Sequence, residues 1–186
     1  MSIELMKQLE DLEQIKKQYA NQLFQKGEQK KFQCIKDVVN DFSTFFSEKE
    51  FEVTKQRTRQ KAITQATYGS LKAELSHGDP SSNYMGVQFS FDLDLTALKM
   101  SKMTVVLNRT TPGISSSITS GSSSKDSQLK QDISRTEQEI EDIKTRLDNF
   151  DSEKWKLFIK NENANSSYLF SEPYSSMYDL LTDLIK

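Results

Sequence analysis

The chain has 186 residues, with 25 Lys and Arg against 27 Asp and Glu, and only one His, one Cys and six Gly. The glycines lie at least eight residues apart, which excludes the glycine-rich loops of nucleotide-binding enzymes and the nucleophile elbow of hydrolases. One His and one Cys likewise exclude Cys/His zinc frameworks and intrachain disulfides. Long solvated helices, which bury only a stripe of side chains, would explain the low hydrophobic content of 35%.

The first residues lack the basic and apolar regions of a signal peptide, and no stretch approaches the roughly 18 apolar residues of a transmembrane helix. A single cysteine fits a reducing compartment. We therefore expect a cytoplasmic protein without a membrane association and without a cofactor.

Residues 1–49 are predicted to form an N-terminal helical region with the apolar spacing of a coiled-coil stalk. Its seam consists of Leu5, Leu9, Leu12, Tyr19 and Leu23, interrupted by Lys16. Gly27 is expected to break or kink the helix. After it, a second apolar stripe predicts a helix that lies on a core, and its members are Phe32, Ile35, Val39, Phe42 and Phe46.

Residues 50–110 change to the period of two that is typical of β-strands. Apolar and polar residues alternate from Val87 to Leu95, and the β-rich segment Met103–Leu107 should pair with this strand. The segment Lys61–Ser76 favours a strand broken near Gly69 over a short helix. The fold class is therefore α+β, with an antiparallel sheet of about four or five strands.

Residues 111–126 are rich in serine and contain two glycines and a proline, which predicts a mobile loop. Residues 127–150 should form a coiled-coil helix with Asp126 as its N-cap. Its seam residues are Leu129, Ile133, Thr136, Ile140, Ile143, Leu147 and Phe150. The simplest pairing of the two coiled-coil helices is antiparallel within one chain, and the alternative pairs each helix with its copy in a second chain.

Residues 151–186 are expected to close the same domain with a strand at Trp155–Ile159 and a short amphipathic helix. Pro173 suits the first turn of that helix. Its predicted apolar face consists of Tyr174, Met177, Tyr178, Leu181, Leu184 and Ile185.

Charge is unevenly distributed along the chain. Residues 54–125 carry nine basic and four acidic residues, a net charge of +5, whereas the segments on either side are acidic. Within this segment the cations alternate with Gln and Thr, so a strand would place them on one face. The row consists of Lys55, Arg57, Arg59 and Lys61. Such a row can follow a phosphate backbone, face an acidic protein partner, or protect a sheet edge from aggregation.

Other candidate site residues are isolated. His77 is interpreted as a surface loop residue, and Cys34 as a structural thiol, because no nucleophile or second ligand lies near either in the sequence. Asp92 and Asp94 share the solvent-exposed face of a predicted strand and form a weak candidate metal site. No third ligand is visible, and the glycine that a calcium loop requires is replaced by Ala97.

These features favour a non-enzymatic function. We expect a protein-binding adaptor, inhibitor or assembly subunit that self-associates or docks a protein partner through its coiled-coil helices. The alternative is a nucleic-acid-binding accessory protein that uses the basic segment 55–61. A third hypothesis, a metal-dependent enzyme, requires a site built from Asp and Glu side chains.

Overall fold

A computed structural model describes residues 2–80, 88–110, 124–152, 154–160 and 172–185. Most of the predicted serine-rich loop, residues 111–123, lies outside this part of the chain. The chain divides into two compact units. The helical unit comprises Met1–Gln29 and Thr111–Glu153, and the sheet unit comprises Lys30–Thr110 and Lys154–Lys186.

The fold class is α+β, as predicted. The helices are α1 (Ile3–Ser47), α2 (Lys125–Asp148) and α3 (Met177–Leu184). The strands are β1 (Glu52–Arg57), β2 (Ala62–Tyr68), β3 (Leu71–His77), β4 (Gln88–Asp94), β5 (Lys102–Thr110) and β6 (Lys154–Ile159). Within the described residues, no helix combines the length and the hydrophobicity that crossing a bilayer requires.

The sheet contains six antiparallel strands in the order of the chain, one or two more than predicted. The expected break near Gly69 is confirmed, since this residue has φ +59° and joins β2 to β3 in a tight turn. The pairing of β4 with β5 is confirmed as well. The count rises because a second turn, at residues 58–61, separates β1 from β2.

The core of the sheet unit lies on one face of the sheet. Phe89, Phe91 and Leu93 of β4 are at most 4% exposed, as the alternation in the sequence predicts. The part of α1 in this unit and all of α3 pack on that face. Their buried residues are Ile35, Val38, Phe42, Phe45, Phe46, Met177, Leu180 and Leu181. The predicted stripe missed Val38 and Phe45, because a helix lying on a sheet buries a face wider than one heptad seam.

The C-terminal helix begins later than predicted. α3 starts at Met177, with Ser176 as its N-cap, so Pro173 lies outside it. Tyr174 is extended and exchanges two backbone hydrogen bonds with Leu157, at 2.8 and 3.0 Å. This bridge to β6 holds the chain in a β conformation until the capping serine, and the helix can form only after it.

In the helical unit, α1 continues through Gly27, so the predicted break is wrong. A Cβ atom at Gly27 would meet nothing within 4 Å, so tertiary packing does not require a glycine there. α2 begins at Lys125 and is capped by Ser124, whose Oγ accepts a hydrogen bond from the Ser127 nitrogen at 3.3 Å. Asp126, the predicted cap, instead accepts a hydrogen bond from the Ser2 nitrogen at 3.1 Å.

The two helices of this unit run parallel, so the predicted antiparallel pairing is wrong. Their contacts advance in the same direction along both helices. The contacting pairs are Ser2 with Asp126, Lys16 with Glu139, Tyr19 with Lys144, and Lys26 with Phe150. The long segment between α1 and α2 permits this arrangement, which a short connection would not.

Candidate anion-binding site

The first element of the site is the turn that joins β1 to β2. The Thr58 nitrogen donates a hydrogen bond to the Lys61 oxygen at 2.8 Å, and the Lys61 nitrogen donates to the Thr58 hydroxyl at 3.0 Å. β1 therefore ends at Arg57, and Arg59 lies in the turn. The prediction that one strand carries all four cations in a row is wrong, because the Thr58 side chain closes a turn in the middle of that row.

The strand register places the first two cations on the core face of the sheet. Val53 of β1 pairs with the buried Ala66 of β2. The next pairs on the same face are Lys55 with Thr64 and Arg57 with Ala62. Alternate residues of a strand share a face, so the face of β1 that is half-buried at Val53 becomes basic toward the turn.

A cavity of about 410 Å³ lies where this basic end of β1 meets α1. All its lining residues belong to the sheet unit. Its basic residues are Lys36, Lys55, Arg57, Arg59 and Lys61. The structure therefore brings the four predicted cations together, although not on one strand. It adds Lys36, which sequence reasoning missed.

Basic residues outnumber acidic ones in the cavity lining, where Asp79 is the one carboxylate among the described residues. Lys36, Lys55, Arg57 and Arg59 are exposed, and none of them forms an ion pair with any residue in the described ranges. Among the described residues, Lys61 is the one cation of the cavity that forms an ion pair, 3.2 Å from Asp92. Like charges held near one another repel, and an anion among them would remove this repulsion.

The α1 side of the cavity is partly apolar. Ile35 is 4% exposed and Val39 is half-buried, whereas Phe32 remains 40% exposed. Phe32, Lys36 and Asn40 recur every fourth residue along the helix and all three line the cavity. This spacing is the one sequence signal that places the three residues on a common face of the helix. The sequence does not show that this face lies beside β1.

His77 also lines the cavity, and it is the last residue of β3 rather than a loop residue as expected. Its Nδ1 lies 2.8 Å from the Gly78 oxygen, and its ring meets Phe89 and Phe91 edge-on at 5.5 and 5.6 Å between centroids. The imidazole is thus fixed by the fold at the edge of the cavity.

Asp92 and Asp94 lie on the opposite face of β4 from Phe91 and Leu93. Asp92 pairs with Lys61, and Asp94 accepts hydrogen bonds from the nitrogen and hydroxyl of Thr96 at 3.0 and 2.7 Å. These bonds lower the pKa of Asp94. Among the residues that the structure describes, no group of three or more His, Cys, Asp or Glu is placed to hold a metal ion.

Cys34 is half-buried in α1 and lies outside the cavity lining. Burial is the main cause that raises the pKa of its thiol, against a smaller opposing effect of Lys30. A protonated thiol is a poor nucleophile, which agrees with the interpretation of Cys34 as structural.

The predicted helix-seam residues lie in the helical unit. In α1 the residues Leu5, Leu9, Leu12 and Leu23 are half-buried. In α2 the residues Ile133 and Ile140 are buried and Leu129, Ile143 and Leu147 are half-buried. The contacts that flank these residues join α1 to α2 of the same chain.

Comparisons with known proteins give no relative, because no family model, no curated protein and no solved structure matches this chain.

Proposed function

We propose that this protein binds nucleic acid through the basic cavity of its sheet unit. The observation that carries the proposal is the convergence of Lys36, Lys55, Arg57 and Arg59 on one cavity without an ion pair among the described residues. Nucleic acids supply closely spaced phosphates, and cations that contact them release counterions, which gives affinity at low salt.

Protection of a sheet edge explains less of this arrangement. β1 is an edge strand, and cations on such a strand discourage aggregation. Lys36, however, lies on α1 and protects no strand edge, yet it lines the same cavity. Guanidinium groups at Arg57 and Arg59 also suit bidentate contacts to phosphate oxygens.

The contacts between α1 and α2 make the coiled-coil helices a less suitable docking surface for a partner than the cavity. The seam residues are buried or half-buried, and the contacts beside them join α1 to α2 of one chain, so a partner helix would have to displace existing contacts. The basic cavity needs no such rearrangement. We therefore place the binding function in the cavity and regard the helical unit as an accessory element.

The test is binding of a labelled oligonucleotide, measured by fluorescence anisotropy over a series of salt concentrations. Log affinity should fall linearly with log salt, with a slope near −2 for about three phosphate contacts to a single strand. The triple variant Lys55→Glu, Arg57→Glu, Arg59→Glu should lose both the binding and the slope. A matched control with the same change of net charge, Lys7→Glu, Lys17→Glu, Lys130→Glu, alters exposed lysines of the helical unit and should bind normally.

Two results would contradict the proposal. One is the absence of binding at low salt. The other is equal loss in both triple variants, which would mean that only the net charge matters. A polyglutamate competitor that displaces the oligonucleotide at equal charge concentration would instead favour an acidic protein partner for the same cavity.

A second candidate function is self-association through the helical unit, which retains the adaptor or assembly role. The specific observation is a set of exposed apolar side chains on α1 outside the seam. They are Ile3 at 69% exposure, Met6 at 45%, Ile15 at 40% and Phe24 at 64%. Contact with a second copy of the chain would bury them.

Light scattering over a dilution series tests this second function. A mass above that of the monomer, 21.4 kDa, should fall back to it in the Phe24→Glu variant. The control Gln22→Glu adds the same charge at an exposed position that is already polar, and it should leave the mass unchanged. A monomer at every concentration excludes self-association.

A further inference from the structure

The cavity has an apolar wall that phosphate binding alone does not require. We infer that it takes an unpaired base of a single-stranded nucleic acid, with the base against Phe32 and the flanking phosphates on the surrounding cations. This inference rests on the proposed function and names the form of nucleic acid that the site prefers.

The volume of the cavity is the first argument. At about 410 Å³ it lies in the range of small-molecule pockets, about 300–1,000 Å³. A duplex presents its phosphates on a convex surface and keeps its bases stacked inside, so it would leave such a cavity unfilled. A single strand can turn one base out of the stack at little cost.

The composition of the α1 wall is the second argument. Phe32 is 40% exposed although the stripe to which it belongs is otherwise largely buried. Exposed aromatic rings beside basic grooves are the usual platforms on which single-stranded nucleic acids stack their bases. Ile35 and Val39 extend the apolar wall below it.

The distribution of polar groups is the third argument. The Asn40 side chain lines the cavity and makes no hydrogen bond to any residue in the described ranges. Its amide can both donate to and accept from the edge of a base. Lys55 and Arg57 approach from β1, so apolar, polar and basic groups converge from two elements. That combination matches a nucleotide better than a bare phosphate or an acidic peptide.

The experiment compares three probes of equal length: oligothymidylate, an abasic strand with the same backbone, and a duplex that contains the oligothymidylate. The full-length protein should bind oligothymidylate about tenfold more tightly than the abasic strand, which is the lower part of the range for stacking one base. It should also prefer oligothymidylate over the duplex by a similar factor.

The variant Phe32→Ala should lose about tenfold for oligothymidylate and nothing for the abasic strand. Because Phe32 is exposed, this change should not unfold the protein. Phe32→Trp keeps an aromatic platform and should retain the preference, which distinguishes stacking from a structural effect.

The outcomes separate the two proposals. One outcome is that the abasic strand and oligothymidylate bind equally, and that the variant Lys55→Glu, Arg57→Glu, Arg59→Glu loses both. In that case the cavity binds phosphate, and the inference of base insertion is wrong. Tightest binding of the duplex overturns base insertion in the same way. If no probe binds at low salt, the proposed function itself fails.

Discussion

The ammonium nitrogen of Lys61 lies 3.2 Å from a carboxylate oxygen of Asp92, and both side chains are roughly half exposed. An ion pair in this setting adds little to stability. It does engage one of the five cations that line the cavity. The pair therefore reduces the positive charge that an anionic ligand meets.

Neutralising this carboxylate should strengthen the proposed binding of nucleic acid. In Asp92→Asn the Lys61 ammonium becomes available for a phosphate, so the slope of log affinity against log salt should steepen by about 0.7, the value for one added contact to a single strand. Asp94→Asn is the matched control, because Asp94 is bonded to Thr96 and has no ion pair with a cavity cation in the described residues. An equal effect in both variants would show that only net charge changed.

A second contact between distant residues closes the core of the sheet unit. A carboxylate oxygen of Asp41 accepts a hydrogen bond from the Met177 nitrogen at 3.1 Å, at the first turn of α3. Removing this acceptor in Asp41→Ala should lower the free energy of unfolding by about 1 kcal/mol, as loss of a helix cap does. Urea denaturation measures this, and Asp41→Asn, which keeps an acceptor oxygen, should lose less. Equal losses in both variants would mean that the hydrogen bond from the Met177 nitrogen does not cause the stabilisation, because the Asn side-chain oxygen can still accept it.

The same carboxylate gives a pH dependence. Burial, the main cause, raises the pKa of Asp41 above its ordinary value of 3.8, against hydrogen bonds from the nitrogens of Met177 and Tyr178. Between 3.8 and the raised value, the folded protein holds a proton that the unfolded chain has already released. Stability contributed by this group is therefore present at acid pH and falls as pH rises through that window.

The pH prediction is checked by urea denaturation of the native protein and Asp41→Asn at a series of pH values. The difference in unfolding free energy between the two should change through that window and be constant at higher pH. A difference that is flat across the whole series would contradict the raised pKa.

The strands were the most predictable part of the fold. Phe89, Phe91 and Leu93 alternate with polar residues, and this period of two is a direct consequence of strand geometry. The turn after Arg57 was not predictable in this way. It contains no glycine or proline, and it is closed by hydrogen bonds of the Thr58 side chain. Thr58 can either continue a strand or close a turn, so its presence does not change the alternating pattern of the sequence.

The candidate site could be predicted only in part. The cluster from Lys55 to Lys61 was visible as a charge pattern, whereas Phe32 and Lys36 joined it through packing of α1 beside β1. The direction of α2 relative to α1 was equally hidden. A heptad pattern specifies which side of a helix is buried, but it reads the same for parallel and antiparallel partners.

Two glycines in different conformations should respond oppositely to alanine. Gly27 lies inside α1 with open space around its Cβ position, so Gly27→Ala should raise the free energy of unfolding by about 0.5–1 kcal/mol. Gly69 also has open space but sits at φ +59°, so Gly69→Ala should lower it by about 1–2 kcal/mol. Thermal and urea denaturation measure both changes. Destabilisation by Gly27→Ala would indicate that the helix is not continuous there.

The parallel arrangement of α1 and α2 can be tested by crosslinking. The Ser2 nitrogen lies 3.1 Å from a carboxylate oxygen of Asp126, near the start of both helices. In a Cys34→Ser background, the pair Ser2→Cys with Asp126→Cys should form a disulfide on mild oxidation. The control pair Ser2→Cys with Asn149→Cys would meet only in an antiparallel arrangement.

The two pairs are well separated by geometry. Positions 126 and 149 lie about 35 Å apart by helix rise, whereas a disulfide requires Cα atoms within about 7 Å. Oxidised protein run on a non-reducing gel should therefore show a compact crosslinked monomer for the first pair and none for the second. Crosslinking of the control pair would establish an antiparallel hairpin. Covalent dimers from the first pair that persist on dilution would show that the contact joins two chains, because dimers formed by random collision disappear on dilution.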